Sequence, residues 1–499
     1  MLEAYLNGVA EENLIMGNQV YRKYCGMSFR VVLFTAILSS GFLVCLSCTK
    51  TDTGPRTPTT IIQLQPPNAD GLPGTQMALN FEVLFTPLIE FYGEAFPVHI
   101  CSTAALNTFI DGSSRMIVND DYIGDSLGDF GVTFSLNSSS GGGEPVPVRI
   151  EIEGDRFIRK SSIDVVMPLN REIEIFPRIV YDYNALERLV QPASENVYFR
   201  LFYGSALLRE IMEVVRFHSI NEVPFRVKNR RDGESIEDYT WLFAAYVNED
   251  DPLIDKILQE ALQIGTAEKI GLGNAFSFSG YQMEDEYGDS GLSVDLQVLA
   301  VWSVFLNHNI KYSNITTTST LNNNMGTQYV RTLGESFGNS QANCVDGSVL
   351  FASVLRKIGI HPILILVPGH MFLGYLRDDD PFSIGFLETT MMGNVDISTH
   401  TRDDSFMGKL KRWLGIGETQ SSVTLDSFLD AKTAGSERYD NALLELYFEY
   451  DQYHETLDEL DGDEFYAALK ELWEEEGDSY AIIDISYLRY IGIMPVTRY

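Results

Sequence analysis

The chain has 499 residues, 45% of them apolar and 21% charged, the profile of a globular protein with length for two or three domains. Its formal net charge of −34 repels nucleic acid, and no basic stretch offsets it, so nucleic-acid binding is excluded. Three of its five cysteines are Cys25, Cys45 and Cys48, which leaves only Cys101 and Cys344 for the folded body and no disulfide framework.

The first element reads as an address. MSFRVVLFTAILSSGFLVCLSC, from Met27 to Cys48, has a basic start at Arg30, an apolar run from Val31 to Leu46, and a small residue ahead of a cysteine. The run of about sixteen residues is short for a membrane-crossing helix and suits the core of a signal peptide. The ending Leu46-Ser47-Cys48 resembles a bacterial lipoprotein signal, although Cys45 stands where a leucine is usual. The resemblance implies that Cys48 becomes the lipidated N-terminus; an uncleaved N-terminal anchor is the other reading. Either way the body is expected in the cell envelope, held to a membrane and facing away from the cytoplasm. Residues 1–26 read as an upstream extension, which makes 1–47 extension plus leader. Residues 48–76, rich in Thr, Pro and Gly, read as a tether with no core of its own.

Between residues 77 and 230, short alternating or β-branched runs are separated by turn signals. Examples are VPVRIEIEG (146–154), SSIDVVMP (161–168), REIEIFPRIVYDY (171–183) and VRFHSINEVPFRV (215–227). This spacing predicts an N-terminal all-β, immunoglobulin-like sandwich of Greek-key type. A short helix is expected to interrupt it from Ser205 to Glu213. His99 and His218 are isolated there and are expected to be structural.

At Tyr239 the texture changes, and residues 236–499 read as an α+β domain with a core over about 290–395. An Asp-Asp-Pro start precedes Leu253, Ile257, Leu258 and Leu262 at helical spacing. LSVDLQVLAVWSVFLNHNIKYSNI (292–315) reads as another helix ending in an extended segment. From Asp346 to Ile358, Leu350, Val354 and Ile358 form one stripe with Phe351 and Leu355 beside it, a largely buried helix stopped by Gly359. HPILILVPGH, MFLGYLRDDD and FSIGFLETT then read as strands. Beyond them come a polar stretch and helices through Glu437 to Asp478, whose acidity reads as a solvated face, and YAIIDISYLRYIGIMPV reads as a closing strand.

Cys344 falls at the first turn of the buried helix, where unpaired backbone N–H groups and the helix dipole favour an anion. His370 follows a strand, and Glu388 ends another. A thiol at a helix tip can then face an imidazole on an adjacent strand, with a carboxylate holding the ring from its far side. Cys344-x-Asp346, Leu350, Leu355-Arg356, Gly359-Ile360, Gly369-His370 and Glu388 resemble the transglutaminase-like superfamily, a branch of the papain-like cysteine hydrolases. The match runs over roughly Gln341 to Thr390. It implies an α+β core in which Cys344 is the nucleophile, His370 the general base and acid, and Glu388 the orienter of the imidazole. Two departures stand out: a glutamate replaces the usual aspartate at 388, and Phe372 replaces the usual tryptophan.

Acyl transfer also needs oxyanion donors. The backbone N–H of Cys344 is one candidate, and Gln341 and Gln328 are side-chain candidates that spacing does not separate. Asp346 is read as a helix cap and His361 as a capping or packing residue, while Asp396, His400 and Asp403 match no standard metal spacing. No cofactor and no metal are expected. The expected partners are a protein or peptide substrate in the envelope and, through the lipid on Cys48, a membrane. The competing reading is a catalytically inactive surface protein that keeps the fold as a scaffold.

Overall fold

A computed structural model describes residues 60–64, 79–108, 113–138, 144–266, 276–282, 290–313, 324–378, 383–392, 420–453 and 480–496. The leader with Cys48, nearly all of the tether, and the segment bearing Asp396, His400 and Asp403 lie outside them. The described residues divide into two compact units. One holds those up to 235 with 324 and 491–496, and the other holds the rest. The protein is of the α+β class, with helices and several sheets.

The first unit is built from β1 (Thr60–Leu64), β2 (Leu79–Ile89), β3 (Glu94–Ala95), β4 (Met116–Val118), β5 (Tyr122–Asp125) and β6 (Phe130–Ser138). It continues with β7 (Val146–Gly154), β8 (Ser161–Met167), β9 (Glu172–Phe176), β10 (Ala193–Tyr203) and β11 (Ala206–Phe217). Among the described residues these form two sheets, ordered β1-β2-β6-β9-β5-β4 and β3-β11-β10-β7-β8. Alternate residues of both enter one core: Phe85, Val132 and Phe134 from the first sheet, Ile150, Ile152 and Phe199 from the second. Period-2 patterning thus turns one face of each sheet onto a shared apolar layer. Most pairings are antiparallel, but β5 runs parallel to β9 and β3 parallel to β11.

The helix expected from Ser205 to Glu213 is a strand instead. Leu, Arg, Glu and Met are good helix formers, but β11 pairs with β10 along its length, from Ala193↔Phe217 to Tyr203↔Ala206. The two-residue connection Gly204-Ser205 has Gly204 at φ 58°, a conformation that suits a tight hairpin turn. Both isolated histidines are tied to carboxylates. His99 Nδ1 lies 3.0 Å from Asp129 Oδ1, and the fully buried His218 ring sits between Glu94 and Glu222 with Phe96 stacked on it at 4.2 Å.

The second unit begins with a 3-10 turn over Thr240–Tyr246 and continues through α1 (Pro252–Thr266) and α2 (Ser290–Asn307). Asp251 accepts a hydrogen bond from the Leu253 N–H at 2.8 Å and starts α1 where the Asp-Asp-Pro sequence predicts. Strand β12 (Lys311–Tyr312) pairs in parallel with β13 (Gln341–Ala342), and α3 (Cys344–Lys357) follows directly. Leu350, Phe351, Val354 and Leu355 of α3 are fully buried, each contributing about 1.5–3 kcal/mol of apolar burial. Gly359, at φ 79°, ends the helical path.

Strands β14 (Pro362–Val367), β15 (His370–Leu376) and β16 (Ile384–Leu387) run antiparallel in sequence, followed by α4 (Gln420–Tyr453), β17 (Ala481–Asp484) and α5 (Ile485–Ile491). The sheet order is β16-β15-β14-β17. The closing segment expected as one strand is therefore a short edge strand followed by a helix, which Asp484 starts by accepting from the Tyr487 N–H at 2.9 Å. PILILV is apolar at every position because both faces of β14 are covered. Asp295 of α2, buried, receives the Tyr375 hydroxyl at 2.6 Å, Arg377 at 3.0 Å and Lys432 at 2.6 Å, tying α2, β15 and α4 together. Among the described residues no helix is long and apolar enough to cross a membrane.

Candidate active site

Cys344 is the first residue of α3, and the turn beneath it is rigidly capped. Asn343 is extended at φ −86°, ψ −173°, and its side chain accepts from the Asp346 N–H at 2.8 Å, while Asp346 accepts from the Asn343 N–H at 3.1 Å. This reciprocal capping box fixes the direction in which the helix begins. Asp346 is buried and also takes the Arg331 N–H at 2.8 Å and Arg331 Nη1 at 2.6 Å. The Cys344 carbonyl accepts the Ser348 hydroxyl at 2.8 Å. As the first residue of α3, Cys344 carries one of the backbone N–H groups for which a helix supplies no partner of its own. The side chain itself is partly exposed.

His370 opens β15 after a turn in which Gly369 adopts φ 69°. Its Nε2 lies 2.7 Å from Glu388 Oε2. The Cys344 sulfur lies close enough to this ring to favour its charged form. Burial works against a charge on this imidazole, but Cys344 and Glu388 outweigh it and raise its pKa from 6.5 to about 9. Phe372, fully buried, lays its ring nearly parallel to the imidazole with centroids 6.3 Å apart. An aromatic platform is therefore kept where the resemblance leads one to expect tryptophan.

Glu388 follows Leu387, the last paired residue of β16, and only 2% of it is exposed. Its Oε1 accepts the Thr390 N–H at 3.0 Å and the Thr390 hydroxyl at 2.6 Å. Its own N–H donates to the Ala431 carbonyl of α4 at 2.9 Å. Burial alone raises a carboxyl pKa, yet the bonds from His370 and Thr390 hold this one below its ordinary value. Glu388 is therefore an ionised acceptor facing an imidazolium, and Cys344, His370 and Glu388 form one continuous relay.

Two residues that the sequence did not single out lie near these three. Tyr312 reaches the site because β12 pairs with β13, the strand immediately before the thiol. It is 43% exposed, and burial of the rest, then the charges of Cys344 and Glu388, raise its phenol above its ordinary pKa. Arg438 of α4 places Nε 2.5 Å from Glu388 Oε2. The only sequence signal for it is the helical spacing of Ala431, Gly435 and Arg438.

Of the side-chain oxyanion candidates, Gln341 is exposed on β13 just upstream of the thiol. Gln328, on the strand Met325–Tyr329, spends an amide N–H on the Tyr329 carbonyl at 2.8 Å. His361 lies apart from the relay; its backbone N–H meets the Tyr281 hydroxyl at 3.0 Å, and its ring packs edge-on against that tyrosine. Cys101, a free thiol like Cys344, is buried in the first unit, where burial and the charges of Glu187 and Asp129 push its pKa well up. Among the described residues no group of three His, Cys, Asp or Glu side chains is placed to hold a metal ion.

Chemically, the arrangement supplies a partly exposed thiol at a helix tip, an imidazole near it, and a buried anion that orients and charges that ring, the groups that thiol-mediated acyl transfer needs. No family model matches the chain, and no curated protein matches it.

Proposed function

We propose that the second unit is a transglutaminase-like, papain-type cysteine acyl-transfer domain, and that the first is an immunoglobulin-like sandwich supporting it. The observation that carries this reading is the relay from Cys344 through His370 to Glu388, with the carboxylate 2.7 Å from the imidazole. Cys344, its proton passed to His370, attacks the carbonyl carbon of an amide in a protein or peptide of the cell envelope. The tetrahedral oxyanion is received by the Cys344 N–H and the Tyr312 hydroxyl. His370 gives its proton to the leaving amine, and a thioester remains on Cys344. Neutral His370 then takes a proton from water as the water attacks the thioester, releasing the acid and restoring the thiol. Hydrolysis is the default outcome because water is always present; a bound amine in its place gives transamidation by the same steps. The leader ending in Cys48 supports attachment to a membrane through lipid on that residue, with the body in the envelope.

The test is peptide-resolved alkylation of the full chain by iodoacetamide, followed by thiol-directed activity probes on wild type and Cys344→Ala mixed with envelope extract. Cys344 is expected to react at least about a hundredfold faster than Cys101 near neutral pH. Equal and slow labelling of the two thiols would refute the reading and leave a scaffold without a working nucleophile.

A further inference from the structure

Helix α4 meets the site along one narrow face. Ala431, Gly435 and Arg438 are spaced so that they share that face. The Ala431 carbonyl receives the Glu388 N–H at 2.9 Å. At Gly435 a Cβ would come within 2.8 Å of the Leu387 nitrogen and 3.0 Å of the Phe386 carbonyl carbon, so a side chain there would push the helix off the strand. Tyr439 stacks on Phe386 at 4.4 Å and fixes the rotation of the helix. Close approach at Gly435 thus delivers Arg438 to Glu388.

Arg438 Nε and His370 Nε2 converge on a single oxygen, Glu388 Oε2, at 2.5 and 2.7 Å, while Thr390 occupies Oε1. Two cations share one acceptor. Each weakens what the other receives from it, and as like charges they repel directly. We propose that Arg438 is a positioning residue that, acting through Glu388, sets the proton affinity of His370 and with it the upper pH limit of the thiolate–imidazolium pair. This rests on the reading of Cys344 and His370 as nucleophile and acid–base.

The groups facing the imidazole and its carboxylate are Cys344 from α3, Tyr312 from β12, Thr390 from the segment after β16, and Arg438 from α4. On α4, Glu437 and Asp440 flank Arg438 as exposed residues, and Lys432 is committed to Asp295. Glu388 is buried, and among the described residues Arg438 is the one cation besides His370 within ion-pair distance of it. The Arg438 side chain is 47% exposed, so solvent and salt screen its effect.

The test is the pH dependence of Cys344 alkylation by iodoacetamide in the full chain, resolved by peptide. Wild type is expected to show two steps: a plateau from thiolate paired with imidazolium, and a further rise when His370 loses its proton. Arg438→Met, which keeps bulk without charge, is expected to move the upper step to higher pH by about half a unit. Arg438→Lys restores it to within about a tenth of a unit, and raising salt to about 0.5 M moves wild type part of the way toward the methionine variant. An identical upper step in wild type and Arg438→Met, with no salt effect on wild type, overturns the proposal and leaves Arg438 a packing residue. The salt arm needs no variant to fold. A single step in wild type, at the ordinary thiol value and without a plateau, is a different result: it removes the thiolate–imidazolium pair itself.

Discussion

Arg331 holds Asp346 at two points: its N–H donates to Oδ1 at 2.8 Å and its Nη1 to Oδ2 at 2.6 Å. Asp346 in turn closes the cap on which Cys344 stands. Cys344 is thereby supported by a buried ion pair two residues along its own helix. Such a pair is weak evidence for net stability but costly to break from one side.

Asp346→Ala strands the Arg331 guanidinium and removes half of the capping box. A loss of about 3 kcal/mol is expected. Trp241 and Trp302 are buried in the second unit, so tryptophan emission reports its unfolding in urea. Asp346→Asn, which keeps one acceptor oxygen, is expected to lose less. Equal midpoints for Asp346→Ala and wild type would show that the pair carries no stability.

His370 links stability to pH. Its folded-state pKa, about 9, stands above the ordinary value of 6.5. The stabilisation is therefore fully present below about pH 6.5 and is lost as pH rises through about 9. The shift corresponds to about 3 kcal/mol, carried by a side chain that is only 15% exposed. Glu388→Gln removes the anion behind the imidazole and is expected to flatten this alkaline decline. Urea midpoints at about pH 6.5 and pH 9.5 for both proteins measure it; parallel declines would contradict the linkage.

Tyr312→Phe separates bond making from oxyanion binding. Alkylation of Cys344 by iodoacetamide builds no oxyanion and is expected to stay within about twofold of wild type. The burst of nitrophenolate from p-nitrophenyl acetate does build one, and is expected to slow by about ten- to a hundredfold. If both reactions respond alike, Tyr312 is not an oxyanion donor.

In the first unit, His218 sits between Glu94 and Glu222. Burial opposes its charge, but the bonds from Glu222 and Glu94 prevail and raise its pKa. Its stabilising effect is present below the ordinary histidine value and is lost as pH rises through the raised one. His218→Leu leaves two carboxylates facing an apolar ring, with an expected cost of about 3 kcal/mol. Hydrogen exchange in peptides spanning residues 79–235 detects it. Unchanged protection would mean that the glutamates find other partners.

Local patterns made α3 readable: the stripe Leu350, Val354 and Ile358 with Phe351 and Leu355 beside it, Asp346 as a cap, and Gly359 to stop it, while the part of Asn343 in the cap went unread. In sequence His370 reads as the end of the strand HPILILVPGH, whereas that strand stops at Val367, Gly369 turns the chain at φ 69°, and His370 opens β15. Tyr312 was not readable, since two residues of strand carry no period and the pairing that places them joins segments about thirty residues apart. Arg438 lies beside the acid-rich stretch that begins at Glu437, where composition points to solvent; only the glycine one turn earlier marks the buried approach. SALLREIME has the composition of a helix, and only the neighbouring strand β10 makes it extended.

The carboxylate that holds His370 is itself held by residues 431 and 438, well downstream of the triad in the chain. A chain threading out N-terminus first, from ribosome or across a membrane, presents thiol, imidazole and carboxylate before it presents the arginine. During that interval Glu388 has Thr390 and His370 but nothing behind it. Final geometry is reached only after α4 has arrived and seated Gly435 against the strand, so the order of synthesis delays full assembly of the site until most of the chain is made.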